Sequence, residues 1–133
     1  MKEQLVSFET AVLAKEKGFD PIPQGIYTKY YSKTDEYELL IFKRSVTSVR
    51  NDDIKVVTQS LLQKWLREKH KIYIELQIGD SLIHESWCWK IFTHRPNGKG
   101  LIWITADSND VYYNTYEEAL EKGLQEALKL IDL

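Results

Sequence analysis

Three histidines, one cysteine and one short acidic loop are the places in this 133-residue chain where metal or nucleophilic chemistry could reside. His70, His84 and His94 share no i, i+3 or i, i+4 helical spacing and no HExxH context, so they lack the pattern that brings imidazoles onto one metal. His84 and His94 fall at opposite ends of one extended segment, on the order of 30 Å apart. They read as surface or boundary imidazoles, and no metal is expected.

The loop Asp107-Ser-Asn-Asp110 opens like a calcium loop, with Asp107 and Asn109 at its first and third positions. Val111 then occupies the fifth position and no glycine follows, so a calcium coordination shell cannot close. A polar turn accounts for the loop. Cys88 stands between Trp87 and Trp89 on a strand-like run, where a cysteine is a small packing residue rather than an activated thiolate. Gly-rich phosphate loops, nucleophile elbows, paired-cysteine motifs and kinase signatures are all missing. The expectation is a protein without catalytic residues or cofactor, and not an enzyme.

Binding residues are easier to name. Lys64, Arg67, Lys69 and Lys71, with His70 among them, cluster at the end of one helical segment. A basic surface beside aromatic rings is one footprint of nucleic-acid binding, although cations at a helix C-terminus also answer the macrodipole. Tyr73, Tyr112 and Tyr113 are the aromatic residues expected at the surface, where such rings anchor protein interfaces. Trp65, Trp89 and Trp103 fall at phases expected of a core. With 18 basic and 20 acidic side chains the net charge is −2, which excludes a global positive field for nucleic acid or anionic membrane and leaves only a local one.

These residues must be positioned by secondary structure. Ser7 caps a helix through Phe8–Lys17, which Gly18 stops. Phe19 to Gly25, with two prolines, forms a connector. Ile26–Tyr31 and Tyr37–Phe42 suggest a hairpin, and Ser45 to Lys55 reads as a second polar connector. Thr58 or Ser60 opens the next helix, whose Leu61, Leu62, Trp65 and Leu66 share a face and which ends near His70.

Ile72, Ile74, Leu76 and Ile78 then alternate with polar residues in the period of a half-buried strand. A second strand spans Glu85–Thr93, and a turn at Pro96–Gly100 leads into a third, Leu101–Ala106. The last helix begins at the cap Thr115, with Glu118 three residues on. It carries Tyr116, Ala119, Leu120, Gly123, Leu124, Ala127, Leu128 and Ile131 on one stripe. Gly123, inside that stripe, points to close contact between helix and sheet.

The predicted fold is α+β and one domain over 1–133: an N-terminal helix, connector and hairpin in 1–57, then an α-β-β-β-α core in 58–133. Helices are expected on one face of an antiparallel sheet of three or more strands, a sheet that the hairpin could extend. A ligand pocket between sheet and helices is a further, weaker expectation. The N-terminus lacks the apolar run of a secretory signal and no stretch reaches a membrane span, so cytoplasmic residence without membrane contact is expected. The lone cysteine suits a reducing compartment.

The order helix, three strands, helix resembles the double-stranded-RNA-binding domain in topology. That family places lysines at the start of its last helix. Here Tyr116-Glu117-Glu118 stands there, which repels phosphate.

The motifs Ser7-Phe-Glu-Thr-Ala11, Leu13-Ala-Lys-Glu-Lys-Gly-Phe19, Thr58–His70 and Tyr116–Ile131 together resemble a group of small uncharacterised proteins of Bacteroides and related gut bacteria and of their phages and prophages. The likeness covers both ends of the chain and leaves 20–57 unmatched. It implies a phage-linked accessory protein and carries no catalytic residue. The missing catalytic constellation and the surplus of possible surface aromatics favour a protein partner, with nucleic acid at the basic end of the 58–70 helix as the alternative.

Overall fold

Three capped helices and six short strands make up the computed structural model, which describes residues 3–29, 34–42, 49–79, 86–106 and 112–132. His84, the Asp107–Asp110 loop, Val111, Tyr30, Tyr31 and the Ser45–Ser48 part of the expected connector lie outside the described residues.

Helix α1 (Phe8–Glu16) starts where Ser7 Oγ accepts the Thr10 N–H, and the chain turns away at Gly18, whose φ of 90° is open to glycine without penalty. Helix α2 (Gln59–His70) is capped in the same way by Thr58. It ends on Lys71 in the left-handed conformation, a position usually held by glycine. Helix α3 (Tyr116–Lys129) begins where Thr115 Oγ1 accepts the Glu118 N–H at 3.1 Å.

The strands form two antiparallel sheets. Strands β1 (Gly25–Thr28), β2 (Glu38–Ile41) and β3 (Ile54–Val56) lie in the order β2-β1-β3, and β4 (Ile72–Ile78), β5 (Trp87–His94) and β6 (Leu101–Ala106) in the order β4-β5-β6. The fold is therefore α+β with an α-β-β-β-α core, as expected from the sequence. Two details differ. The hairpin builds a sheet of its own instead of extending the other, and the end of the expected connector is strand β3, which pairs Val56 with Gly25 and Ile54 with Tyr27. A three-residue strand is too short to display period-two alternation, so only its pairing with β1 reveals it.

Helix α3 lies on β4 and β5, α2 on β4, and α1 against both α3 and β3. Apart from Tyr116, which is 39% exposed, the predicted stripe of α3 is buried. Each of its leucines contributes about 1.5–3 kcal/mol by leaving water. A Cβ on Gly123 would stand 3.1 Å from Ile74 and 3.3 Å from Trp89, so glycine there lets the helix approach the sheet closely. The core is one cluster reaching from Val6, Ala11 and Val56 to Leu62, Leu66, Ile91, Leu124 and Leu128. The two sheets are thus joined through the helices, chiefly α1 and α3.

Helix α1 fully buries Thr10, Ala11 and Ala14 and packs the partly buried Phe8, Val12 and Leu13 against the core. A polar network adds to this contact. The Glu121 carboxylate on α3 accepts from Ser7 N at 3.1 Å, from Ser7 Oγ at 2.9 Å, from Thr10 Oγ1, and from Gln59 Nε2 at 3.0 Å. Gln125 Nε2 donates to Thr10 Oγ1 at 3.1 Å. One carboxylate thereby ties together the starts of α1 and α2, and its negative charge sits at the positive end of α1.

Candidate interaction surfaces

Strand alternation assigns every side chain of the β4-β5-β6 sheet to one of two faces. Ile74 and Trp89 meet Gly123, which marks the face covered by helices. The opposite face carries Tyr73, Glu75 and Gln77 from β4, and Cys88, Lys90, Phe92 and His94 from β5. Register fixes the rest: Tyr73 pairs with Phe92, Phe92 with Trp103, and His94 with Leu101. Tyr73, Phe92 and Trp103 therefore stand side by side across three adjacent strands.

Trp103 is 61% exposed, against the expectation that it packs in the core. In Leu101-Ile-Trp-Ile both phases are apolar, so the sequence could not say which phase faces the helices; pairing with Phe92 turns Trp103 outward. Trp89 is buried as expected, and Trp65 is half-buried against Phe19, their ring centroids 4.8 Å apart. Within the row, Tyr73 Oη lies 2.8 Å from His94 Nε2 and the two rings meet edge to face at 5.3 Å. Lys90 Nζ stands 6.0 Å from the Trp103 ring centroid.

The cations named from the sequence lie at the end of the sheet where β4 begins. Lys64 leans towards Glu68 at 4.0 Å, and Lys71 Nζ donates to the Glu68 carbonyl at 3.2 Å. Thr93 Oγ1 donates to the Lys71 carbonyl at 3.0 Å, which fixes this junction beside the β5–β6 turn. That turn adds Arg95 and Lys99, two cations the sequence did not single out because they are distant along the chain. None of Arg67, Lys69, Lys71, Lys90, Arg95 or Lys99 forms an ion pair with a described residue.

The candidate surface named from the sequence is divided by the fold. Tyr73 lies beside Lys71, on the helix-free face. Tyr113 pairs with Trp87 at the other end of the sheet, its N–H and C=O each 2.8 Å from the partner group. Ile72 and Ile78, the ends of β4, are separated by about 20 Å, so Tyr112 and Tyr113 do not share a site with the basic cluster. Tyr113 is half-buried against the core, and Tyr112 is exposed but shields Gly79, where a Cβ would lie 2.5 Å from its ring.

His70, inside the basic cluster, is not a free cation. Its ring packs edge to face on Trp65 at 4.6 Å and its Nε2 is buried with no hydrogen-bond partner among the described residues. Burial, reinforced by the neighbouring Lys69 charge, lowers its pKa below the ordinary 6.5.

Strand β2 provides a second surface. Leu39, Leu40 and Ile41 are 44%, 42% and 59% exposed on the outer strand of their sheet. Strand β6 is also exposed and apolar, but its ladder with β5 is broken between Ile91 and Phe92 by a bulge at Ile104.

One cleft of about 310 Å³ lies where the sheet meets the ends of α2 and α3, lined by His70, Ile72, Thr93, Ile104 and Leu130, and another of about 420 Å³ lies between α1, the proline connector and β3. Its charged groups are engaged: Lys15 Nζ donates to the carbonyls of Asn51 and Asp53, Lys55 pairs with Asp20, and the Asp53 carboxylate accepts the Arg50 N–H. No group of three or more His, Cys, Asp or Glu side chains among the described residues could hold a metal. Cys88 is half-buried, its Sγ 3.7 Å from the Gln77 carbonyl. No helix among the described residues is long and apolar enough to cross a membrane.

Compared with known proteins, the chain matches no family model, no curated protein and no solved structure.

Proposed function

We propose that this protein is a non-enzymatic interaction module, a phage- or prophage-associated accessory protein that binds another protein by strand addition at β2. The observation that carries the reading is the run of three exposed apolar residues, Leu39 to Ile41, on an outer strand. Consecutive strand residues point to opposite faces, so β2 is apolar on both sides, and among the described residues no strand pairs with its outer edge. Proteins ordinarily blunt such edges with charge, proline or a bulge. Within β2 only Glu38, at its start, is charged, whereas β6 is bulged. An extended partner segment with alternating apolar residues supplies both the missing backbone bonds and the missing cover. The association with phages rests on the resemblance of both chain ends, and the cytoplasm is the compartment that a single cysteine, Cys88, suits.

The test is capture from host and phage lysates by the wild-type chain and by the Leu39→Lys, Ile41→Lys double variant, compared at equal folding. Proteins held by the wild type and released by the variant support the reading. Identical captured sets, or turnover of a small molecule by a chain that captures nothing, would refute it.

A second reading, nucleic-acid binding, is favoured by one observation: the unpaired cations at the start of β4 and in the β5–β6 turn converge on one end of the sheet. The end of α2 supplies only part of this cluster. Arg95 and Lys99 join the cluster, whereas the His70 ring is taken up by packing on Trp65. Salt-sensitive binding weakened by Lys69→Ala or Arg95→Ala supports this reading, and a flat titration at low salt refutes it.

A further inference from the structure

We propose that the helix-free face of the β4-β5-β6 sheet binds single-stranded nucleic acid, with Tyr73, Phe92 and Trp103 as its base-stacking row. The proposal rests on the nucleic-acid reading of the basic sheet end and states which form of nucleic acid that end receives.

Three aromatic side chains in one cross-strand register are a stacking platform, because unpaired bases lie flat on rings irrespective of sequence. Neighbouring strands are about 4.8 Å apart, so the row extends about 10 Å, enough for two or three splayed bases. The rings are held in place before any ligand arrives. Tyr73 is locked by its 2.8 Å contact with His94, Phe92 is flanked by both neighbours, and Trp103 presents the most open surface of the three. Helices α2 and α3 occupy the other face.

Charge favours a polyanion over a protein segment. Lys71 stands two residues before Tyr73 on the chain, and Arg95 and Lys99 lie in the turn just past the His94–Leu101 pair, without acidic partners among the described residues. Lys90 flanks Trp103 on the face itself. Glu75 is the one acidic side chain that the described residues place on this face; it pairs across strands with Lys90. A strand lying along the row therefore meets positive charge at the turn end, and on the other side Lys90 stands opposite Glu75 in register. Duplexes hide their base faces, so stacking on the row selects single strands, while the cations alone would accept either form. This departs from the double-stranded-RNA mode, which the acidic start of α3 opposes.

The experiment is fluorescence anisotropy of the whole chain with labelled oligothymidylate, oligouridylate and a DNA duplex, each about 12 units long, at about 50 mM salt. The expected result is single strands bound at least about tenfold more tightly than the duplex, a loss of about tenfold or more in Trp103→Ala, and retention of most binding in Trp103→Phe. Comparison of the two single strands identifies DNA or RNA as the preferred source. Trp103 is exposed, so both variants should keep the wild-type circular dichroism; Tyr73→Leu provides a second stacking deletion. Equal binding of duplex and single strand, untouched by Trp103→Ala, leaves the basic-end reading standing and overturns the stacking row. No binding to any of the three overturns both. A sedimentation shift that Trp103→Ala abolishes, without nucleic-acid binding, makes the face a protein interface and overturns the proposal.

Discussion

Replacing Glu121 with alanine removes the one acceptor shared by four donors, and the loss can be worked from the geometry. Thr10 is fully buried and Gln59 almost so, whereas Ser7 is only half-buried and water can replace part of what it loses. Gln59 Nε2 keeps its 2.9 Å bond to the Glu117 carbonyl, and the Thr10 hydroxyl can turn to Ser7 Oγ, 3.1 Å away. A hydrogen bond to a charged group is worth about 1.5–3 kcal/mol, and a buried donor left unpaired costs about 1–3 kcal/mol. Counting the Thr10 bond near the middle of that range, about 1 kcal/mol for Gln59 and a few tenths each for the two Ser7 donors gives a loss of about 3 kcal/mol.

The assay is urea unfolding followed by tryptophan fluorescence and far-ultraviolet circular dichroism. With a slope of about 1.5 kcal/mol/M the midpoint of Glu121→Ala falls by about 2 M. Glu121→Gln keeps one acceptor oxygen but turns an amide donor towards the remaining donors, so it falls by roughly half as much. A double-mutant cycle with Thr10→Val should return a coupling of about 1–2 kcal/mol. A loss under about 1 kcal/mol in Glu121→Ala, with no coupling to Thr10, would refute the view that this carboxylate anchors α1.

Other outcomes follow from single contacts. Gly25→Ala sets a Cβ 2.7 Å from the Leu40 carbonyl oxygen, a backbone atom that cannot yield without parting β1 from β2, so a loss of about 2 kcal/mol is expected in the same unfolding assay. Because the folded-state pKa of His70 lies below its ordinary 6.5, the unfolded chain takes up the proton first. Stability from this group is therefore full above pH 6.5 and falls as the pH drops through that value; unfolding midpoints at pH 8 and pH 5.5 should differ more in the wild type than in His70→Leu. Exposed Ile41→Lys should change stability by less than about 0.5 kcal/mol while reducing partner capture, which separates a docking role from a folding one. Trp103→Ala should likewise leave the unfolding midpoint nearly unchanged and act only on binding.

The two proposed surfaces make different demands on the chain. The β2 edge offers apolar side chains and a backbone edge that no other described strand pairs with, which suit another polypeptide strand. The β4-β5-β6 face offers rings and cations, which suit bases and phosphates. They belong to different sheets, so variants at Ile41 and Trp103 can be read independently.

The sequence by itself determined the parts of the fold whose signals are local. Ser7, Thr58 and Thr115 mark helix starts because a cap is a contact within a few residues, and the stripe of α3 and the alternation of β4 are periodicities written along the chain. The buried place of Gly123 followed from the same stripe. Tertiary structure alone decided what depends on partners distant in sequence. Strand β3 exists through pairing with β1, Glu121 becomes an anchor by meeting Ser7 and Thr10, and Lys71 joins Arg95 and Lys99 only when the β5–β6 turn folds back beside the end of α2. Trp103 shows the limit most clearly. In a run apolar at both phases, no period can distinguish inside from outside, and the hydrogen-bond register with Phe92 places this ring in the row with Tyr73 on the open face.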